Sequence, residues 1–249
     1  MRFAARTDKG VVRELNEDSF NIICDYPGVP PTFIIADGMG GHNSGEVASK
    51  MAVDIVSSQI VQYAEKLADE DNVLSSISQI LAKANKDIYT MSRIRGKNFG
   101  MGTTVIVAVA LNKKFFIAHV GDSRVYVIRD GQIRQITIDH SFIEELIRTG
   151  SLTREEAENH PSRNIITRAL GCAEEVEIDT YSCEMKNDDI FILCTDGLTN
   201  MVSEGEIQDV VLGSDDPDAA CIELIGRANR YGGEDNITVI VIDMKDHKN

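Results

Sequence analysis

The sequence predicts an α+β protein built as a four-layer α-β-β-α sandwich, with two packed, mainly antiparallel β-sheets flanked by pairs of helices. Two observations carry this. Between residues 103 and 138, β-rich runs succeed one another across turns too short to hold a crossover helix, so neighbouring strands are expected to be antiparallel. Helical segments arrive in pairs before and after this block, as helices do when they cover the outer faces of packed sheets. A doubly wound parallel sheet would need a helix between most strands, and the block has none.

Taken in order, RELNEDSF (13–20) leads into the strand-like SFNIIC, and FIIADG (33–38) ends an apolar run on an aspartate and a glycine. Two long segments, 44–68 and 72–94, have helical character. In the first, Val47, Met51, Val53, Ile55, Val56, Ile60, Val61 and Tyr63 recur mostly at three- and four-residue intervals and mark a broad buried stripe. The short join between the segments predicts an antiparallel pair. The period then changes: 103–111, 114–120, 123–130 and 132–138 read as strands, with Asp130-Gly131 as a hairpin turn. Residues 139–172 are polar and predict two short helices, the second capped by Thr153 with Glu156 three residues on. Strands at 175–184 and 189–195, helices at 203–213 and 217–231, and a last strand at 236–244 complete the chain.

Composition narrows the function. With 249 residues, 43% apolar and 26% charged, the chain is an ordinary globular protein with one core as the default. A formal charge of −15 repels phosphate backbones and anionic lipid, which argues against nucleic acid and membrane as partners and favours divalent cations; plain surface solvation explains it equally well. The five cysteines show no C-x-x-C spacing and read as reduced, mostly buried thiols. No signal-peptide pattern and no apolar run near the ~18 residues of a membrane span occur, so a cytoplasmic protein is expected.

The chemistry concentrates where strands end. FIIADG, FILCTDG (191–197), FIAHVGDSR (116–124) and GGEDNITVIVI (232–242) each put an acid at the margin of a buried run, beside glycine or in a short turn. One Asp-Gly alone is merely a good turn. Several carboxylates gathered at one sheet edge would repel each other unless a cation neutralised them, and magnesium and manganese suit all-oxygen ligands. Glu17 and Asp18 form a further acid pair, and Arg13 just upstream could grip a phosphate or make a surface ion pair.

In their order, RELNEDS, ADGMGGH, GMGTT (100–104), HVGDSR, DHS (139–141), CTDGL (194–198) and EDNITV (234–239) resemble the metal-dependent protein phosphatases of the protein phosphatase 2C family, specifically its compact bacterial members. The resemblance covers nearly the whole chain. It implies a single catalytic domain over 1–249 with a flap at about 141–170, hydrolysing phosphoserine and phosphothreonine in proteins without a phosphoenzyme intermediate. By position it implies that Asp37 bridges two Mn²⁺ or Mg²⁺ ions, that Asp196 and Asp235 complete the first site, and that the Gly38 carbonyl serves the second. Asp18 and Glu17 would serve that second site directly or through water, Asp122 with Asp196 would hold a third, weaker ion, and Arg13 would anchor phosphate. A water bridging the two ions would be acidified toward hydroxide. Substrate contacts are expected from His42, Arg163 and Arg168, with phosphoproteins as substrates, a serine/threonine kinase as counterpart, and a monomer as the working state.

The pattern departs from many animal members at Met39, where those carry a histidine proposed as general acid. His119 is expected at the core edge as a hydrogen-bonding residue, and His140 and His160 as structural residues of the excursion. Competing readings are another phosphomonoesterase specificity, including relatives acting on regulators of sigma factors, and a silent binding module, against which stand the retained Asp37, Asp196 and Asp235. No GxxxxGK[ST] cradle, GxSxG elbow or EF-hand loop appears.

Overall fold

The computed structural model describes residues 1–40, 44–94, 98–157, 160–162 and 164–245. Its strands are β1 (Arg2–Asp8), β2 (Asp18–Ile23), β3 (Thr32–Met39), β4 (Gly102–Thr103), β5 (Val105–Leu111), β6 (Lys114–Val120), β7 (Arg124–Arg129), β8 (Gln132–Gln135), β9 (Asp179–Glu184), β10 (Ile190–Cys194) and β11 (Ile237–Asp243). Its helices are α1 (Gly45–Gln62), α2 (Ala64–Leu67), α3 (Glu70–Ser92), α4 (Phe142–Arg148), α5 (Arg154–Ala157), α6 (Asp196–Thr199), α7 (Glu204–Gly213) and α8 (Pro217–Arg230).

The strands form two antiparallel sheets. One has the order β1-β11-β10-β7-β8; the other runs β2-β3-β5-β6-β9, with β4 paired to β3. Alternate residues of each buried strand face opposite ways, so each sheet supplies two apolar faces. Phe33, Ile35, Phe115, Ile117, Val125, Phe191 and Ile240 fill the space between the sheets. Phe115 stacks on Phe191 there, with ring centroids 4.7 Å apart. The outer face of the β5 sheet packs on α1 and α3 through residues such as Val56, Ile60, Ile77, Leu81, Val107 and Val109. The outer face of the β10 sheet packs on α7 and α8 through Ile192, Ile207, Leu224 and Val239. These are the four layers that the pairing of helices and strands predicts.

Local signals match closely. Asn112 and Lys113 between β5 and β6, and Asp130 and Gly131 between β7 and β8, all have positive φ, the turn conformation that matches strand twist in two-residue hairpins. Thr153 and Glu156 cap α5 reciprocally, and Ser203 and Glu206 form a capping box on α7. Among the described residues, no helix is long and apolar enough to cross a membrane.

The structure corrects several expectations. The run from 103 to 138 is not one antiparallel succession: β6 and β7 lie in different sheets, and residues 121–123 carry the chain across the sandwich. Gly121, at φ +117°, permits that crossing. β1 and the one-turn α6 enter the fold where the sequence reading gave no element, and β9 begins at Asp179 rather than 175. The first long helix divides at Tyr63. Of the five thiols, only Cys194 and Cys221 are buried, and Cys172 is exposed.

Candidate active site

Asp18 and Asp37 are direct cross-strand partners at one end of the β2–β3 pair. Two like charges opposite each other destabilise a sheet, so their environment matters. Asp18 is buried, and its Oδ2 accepts hydrogen bonds from Thr195 Oγ1 (2.9 Å), just after β10, and Thr238 Oγ1 (2.6 Å) in β11, both on the side of the other sheet. The bonds therefore tie the two sheets together at this end.

The Asp37 backbone is held by the GMGTT segment. Its N–H donates to Thr104 Oγ1 (2.9 Å), while its carbonyl accepts from Thr103 Oγ1 (2.8 Å) and Thr104 N (2.9 Å). Thr104 Oγ1 also pairs with Ser123 Oγ at 2.9 Å, which links Asp37 to the turn carrying Asp122. His140 braces the same turn: its Nδ1 accepts from Gly121 N (3.0 Å), and its N–H donates to the Gly121 carbonyl (2.8 Å).

Asp196 opens α6, with Asn200 Nδ2 donating to its Oδ2 at 3.0 Å. Gly197 lets this helix touch β11: a Cβ there would come 2.0 Å from the Asn236 carbonyl oxygen. Asp235, just before β11, receives Arg13 Nη2 at 2.7 Å and its own neighbour's N–H from Asn236 at 2.8 Å. Arg13 Nε also reaches the Glu234 carbonyl at 3.3 Å. Glu17 Oε1 accepts from Gly45 N (3.1 Å) at the start of α1, where the positive end of the helix suits a carboxylate. Gly38 is wedged between these parts, since a Cβ would stand 2.1 Å from the Gly45 carbonyl oxygen and 2.6 Å from that of Glu17.

The electrostatics show a cluster short of cations. Burial raises the Asp37 carboxyl well above its ordinary value, and Asp18, Asp196, Asp122 and Asp235 push it further. Burial also raises Asp18, against the pull of the Thr238 and Thr195 hydroxyls, and Asp122, with Asp196 adding to the latter. Asp196 is raised by burial and then by Asp235, and Glu17 chiefly by burial. Among the described residues, no Lys or Arg hydrogen-bonds to Asp18, Asp37, Asp122 or Asp196; Arg13 serves Asp235 and Arg124 serves Asp139.

The donor set fits a hard divalent cation. It is all oxygen and anionic, and the buried Oδ1 atoms of Asp18, Asp122 and Asp196 have no hydrogen-bond partner. Among the described residues, no three His, Cys, Asp or Glu side chains close on one point as a finished cage. Magnesium and manganese keep several waters and do not require one.

The structure thus brings together Arg13, Glu17, Asp18, Asp37, Gly38, Asp122, Asp196 and Asp235. His42 and Arg163 lie outside the described residues. Arg168 is engaged beside the start of β9, with Nη1 2.6 Å from Asp179 Oδ1 and 3.0 Å from His140 Nε2, and Nη2 3.2 Å from Glu177 Oε2. Its charge is met by the protein's own carboxylates. His119 corrects its expectation of a place at the core edge: it is fully buried, its ring 4.7 Å from the His140 ring and tilted 32° to it. Sequence reasoning passed over Thr104, Ser123, Thr195, Thr238, Asn200 and Asn236. All but Asn200 stand inside the motifs quoted from the sequence, but the partner that matters to each lies outside its own motif.

The protein phosphatase 2C family pattern matches residues 10–215. The chain is 40% identical over 238 residues to the serine/threonine phosphatase stp of Listeria monocytogenes serotype 4b, covering 96% of this chain and 94% of that one. It superposes on a serine/threonine phosphatase of S. agalactiae with a TM-score of 0.93, at 34% identity, covering 98% of this chain and 99% of the other. It also superposes, with a TM-score of 0.84 at 35% identity and 98% coverage of each chain, on the catalytic domain of the serine/threonine protein phosphatase PstP solved with two manganese ions.

Proposed function

The chain belongs to the protein phosphatase 2C family and is a metal-dependent serine/threonine protein phosphatase, and on that premise we propose that it hydrolyses protein phosphoserine and phosphothreonine at a two-cation centre without a phosphoenzyme. The observation that supports this best is the group of buried carboxylates at strand ends from both sheets, with unpartnered oxygens and raised proton affinities. Such a group is stable in its charged form only beside a cation.

When bound, a pair of divalent cations lowers the pKa of a shared water and offsets charge on phosphoryl oxygens. Asp37, Asp196 and Asp235 would hold one cation. Asp37 and the Gly38 carbonyl, with Asp18 and Glu17 directly or through water, would hold the other. Asp122 and Asp196 would take a third, weaker one. Manganese and magnesium both suit these oxygens. Arg13 would receive the phosphate, because a guanidinium offers paired donors in the geometry of two phosphate oxygens.

The remaining residues orient these groups. Thr103 and Thr104 fix the Asp37 backbone, and Thr195 and Thr238 fix the Asp18 carboxylate so that its Oδ1 stays free. Met39 has no transferable proton, so the leaving oxygen would take its proton from water at the site or from His42. Residues 1–249 would act as one catalytic unit and as a monomer, opposed by a serine/threonine kinase. The flap at about 141–170 would meet the phosphoprotein through Arg163, with His42 contacting substrate and Arg168 acting by holding the flap base to β9.

The test is calorimetric titration of metal-stripped protein with manganese, paired with hydrolysis of a phosphothreonine peptide. Asp37→Asn should remove manganese binding steps and lower turnover by roughly a hundredfold or more, since even groups that only orient metal ligands are worth about 10–100-fold. Unchanged turnover in the folded variant would falsify the reading.

A further inference from the structure

We infer that Asn236 is the positioning residue that sets the phosphate-anchor loop, residues 9–17, in register with the carboxylate at the head of β11. This rests on the proposed role of Arg13 as phosphate anchor.

The loop has no regular secondary structure, yet it carries both Arg13 and Glu17. Three of the hydrogen bonds that fix its path come from one side-chain amide. Asn236 Nδ2 donates one hydrogen to the Lys9 carbonyl and one to the Leu15 carbonyl, each at 2.9 Å, and Asn236 Oδ1 accepts from Glu17 N at 2.7 Å. All three bonds span more than 200 residues of sequence, and the side chain is buried. Two donors and an acceptor in one plane are what a carboxamide supplies; Asp offers acceptors alone and Ser a single donor.

The brace sits where it can set Arg13. The Gly233 carbonyl accepts from Val11 N (2.8 Å) and Val12 N (3.1 Å), so Arg13 is bracketed between a fixed residue 12 and a fixed residue 15. Its guanidinium then falls on Asp235, the residue before Asn236. The loop also runs hard against the segment that leads into β11: a Cβ on Gly10 would lie 2.2 Å from the Asp235 carbonyl oxygen. Anchor and carboxylate thus share one support, and the distance between a phosphate on Arg13 and the acidic centre is set by Asn236. Displacement of about 1 Å at such a contact costs as much as a hundredfold in rate.

A double-mutant cycle tests this. Asn236→Ala, Arg13→Ala and the double variant are assayed at saturating manganese with a small aryl phosphate, with inorganic phosphate as competitive inhibitor. In the otherwise native protein, Asn236→Ala should raise KM and the phosphate inhibition constant about tenfold, with a smaller change in kcat. On the Arg13→Ala background it should raise them less than about twofold, because the anchor it positions is gone. Equal effects on both backgrounds, or a lowered melting temperature with KM and phosphate inhibition unmoved, would overturn the inference and leave Asn236 as a fold-holding residue. If Asn236→Ala does not fold, Asn236→Ser, which keeps one donor, carries the same comparison. A KM unmoved by Arg13→Ala alone would overturn the anchor reading itself, a result read from a separate variant.

Discussion

Arg13 Nη2 lies 2.7 Å from Asp235 Oδ2, so the guanidinium assigned to phosphate rests on a carboxylate assigned to metal. The pair is half exposed, and ion pairs of that kind are worth only about 0–1 kcal/mol. A divalent cation and a phosphate can therefore part them at small cost. Arg13→Ala should raise KM for an aryl phosphate about tenfold or more, the worth of a charge-assisted hydrogen bond. The same variant should bind manganese as tightly as the native protein or more so, since a competitor for Asp235 is removed. Weaker manganese binding in calorimetry would contradict the competition.

Thr238 donates to Asp18 Oδ2 at 2.6 Å from the opposite sheet. Thr238→Val keeps the shape of the side chain and removes that donor. Manganese affinity should fall roughly 10–100-fold, and metal-free stability by about 1–3 kcal/mol. Chemical denaturation with and without manganese measures both; a native-like manganese affinity would show that the hydroxyl does not orient the carboxylate.

Gly38 has no room for a methyl group, with the Gly45 and Glu17 carbonyl oxygens 2.1 and 2.6 Å from where a Cβ would stand. Gly38→Ala should separate the end of β3 from the start of α1, lowering stability by about 1–3 kcal/mol or more. Manganese stoichiometry should drop as well. An alanine variant with unchanged melting temperature and stoichiometry would contradict the packing argument.

Asp18, Asp37, Asp122 and Asp196 bind protons more tightly in the folded protein than in the unfolded chain, chiefly because they are buried. Between the ordinary aspartate value and their raised values the folded state therefore holds more protons. Their contribution favours folding at the low end of that window and is lost as pH rises through the raised values. Metal-stripped protein should accordingly gain stability from this cluster as pH falls from about 8 towards 5, and manganese should abolish the trend. Urea denaturation at several pH values, with and without manganese, checks this; identical pH profiles would count against cation binding by the cluster.

His119 works in the opposite direction. Burial pushes its pKa down to about 3, with the neighbouring His140 adding to the shift, whereas an exposed histidine titrates near 6.5. Between these values the unfolded chain holds the extra proton, so stability falls with pH by up to about 1.4 kcal/mol per unit. The carboxylate cluster is common to the native protein and His119→Gln, so the difference between them isolates this effect. That difference should shrink steadily below pH of about 6.5. A difference independent of pH would show that the ring is not held neutral.

The sequence by itself determined what acts over a few residues. Apolar runs ending at Asp37 and Asp196, the positive-φ turn at Asp130 and Gly131, the Thr153–Glu156 cap and the helix stripe from Val47 to Tyr63 all depend on near neighbours, so residue type and spacing reveal them. The recurrence of acids at strand ends suggested a cation site, because gathered like charges need one, and the order of the motifs carried the family resemblance. Only the tertiary structure decided which groups brace those acids. Gly121-Asp122-Ser123 looks like an ordinary hairpin turn, but it changes sheets, because β7 is claimed by β10 and β6 by β9. Asp18 finds its threonine donors 177 and 220 residues away, and Arg168 is taken up by Asp179 and Glu177 at the start of β9. Turn and helix preferences are properties of short segments, whereas partner choice between sheets follows from burying every apolar face at once. No spacing in the sequence encodes that.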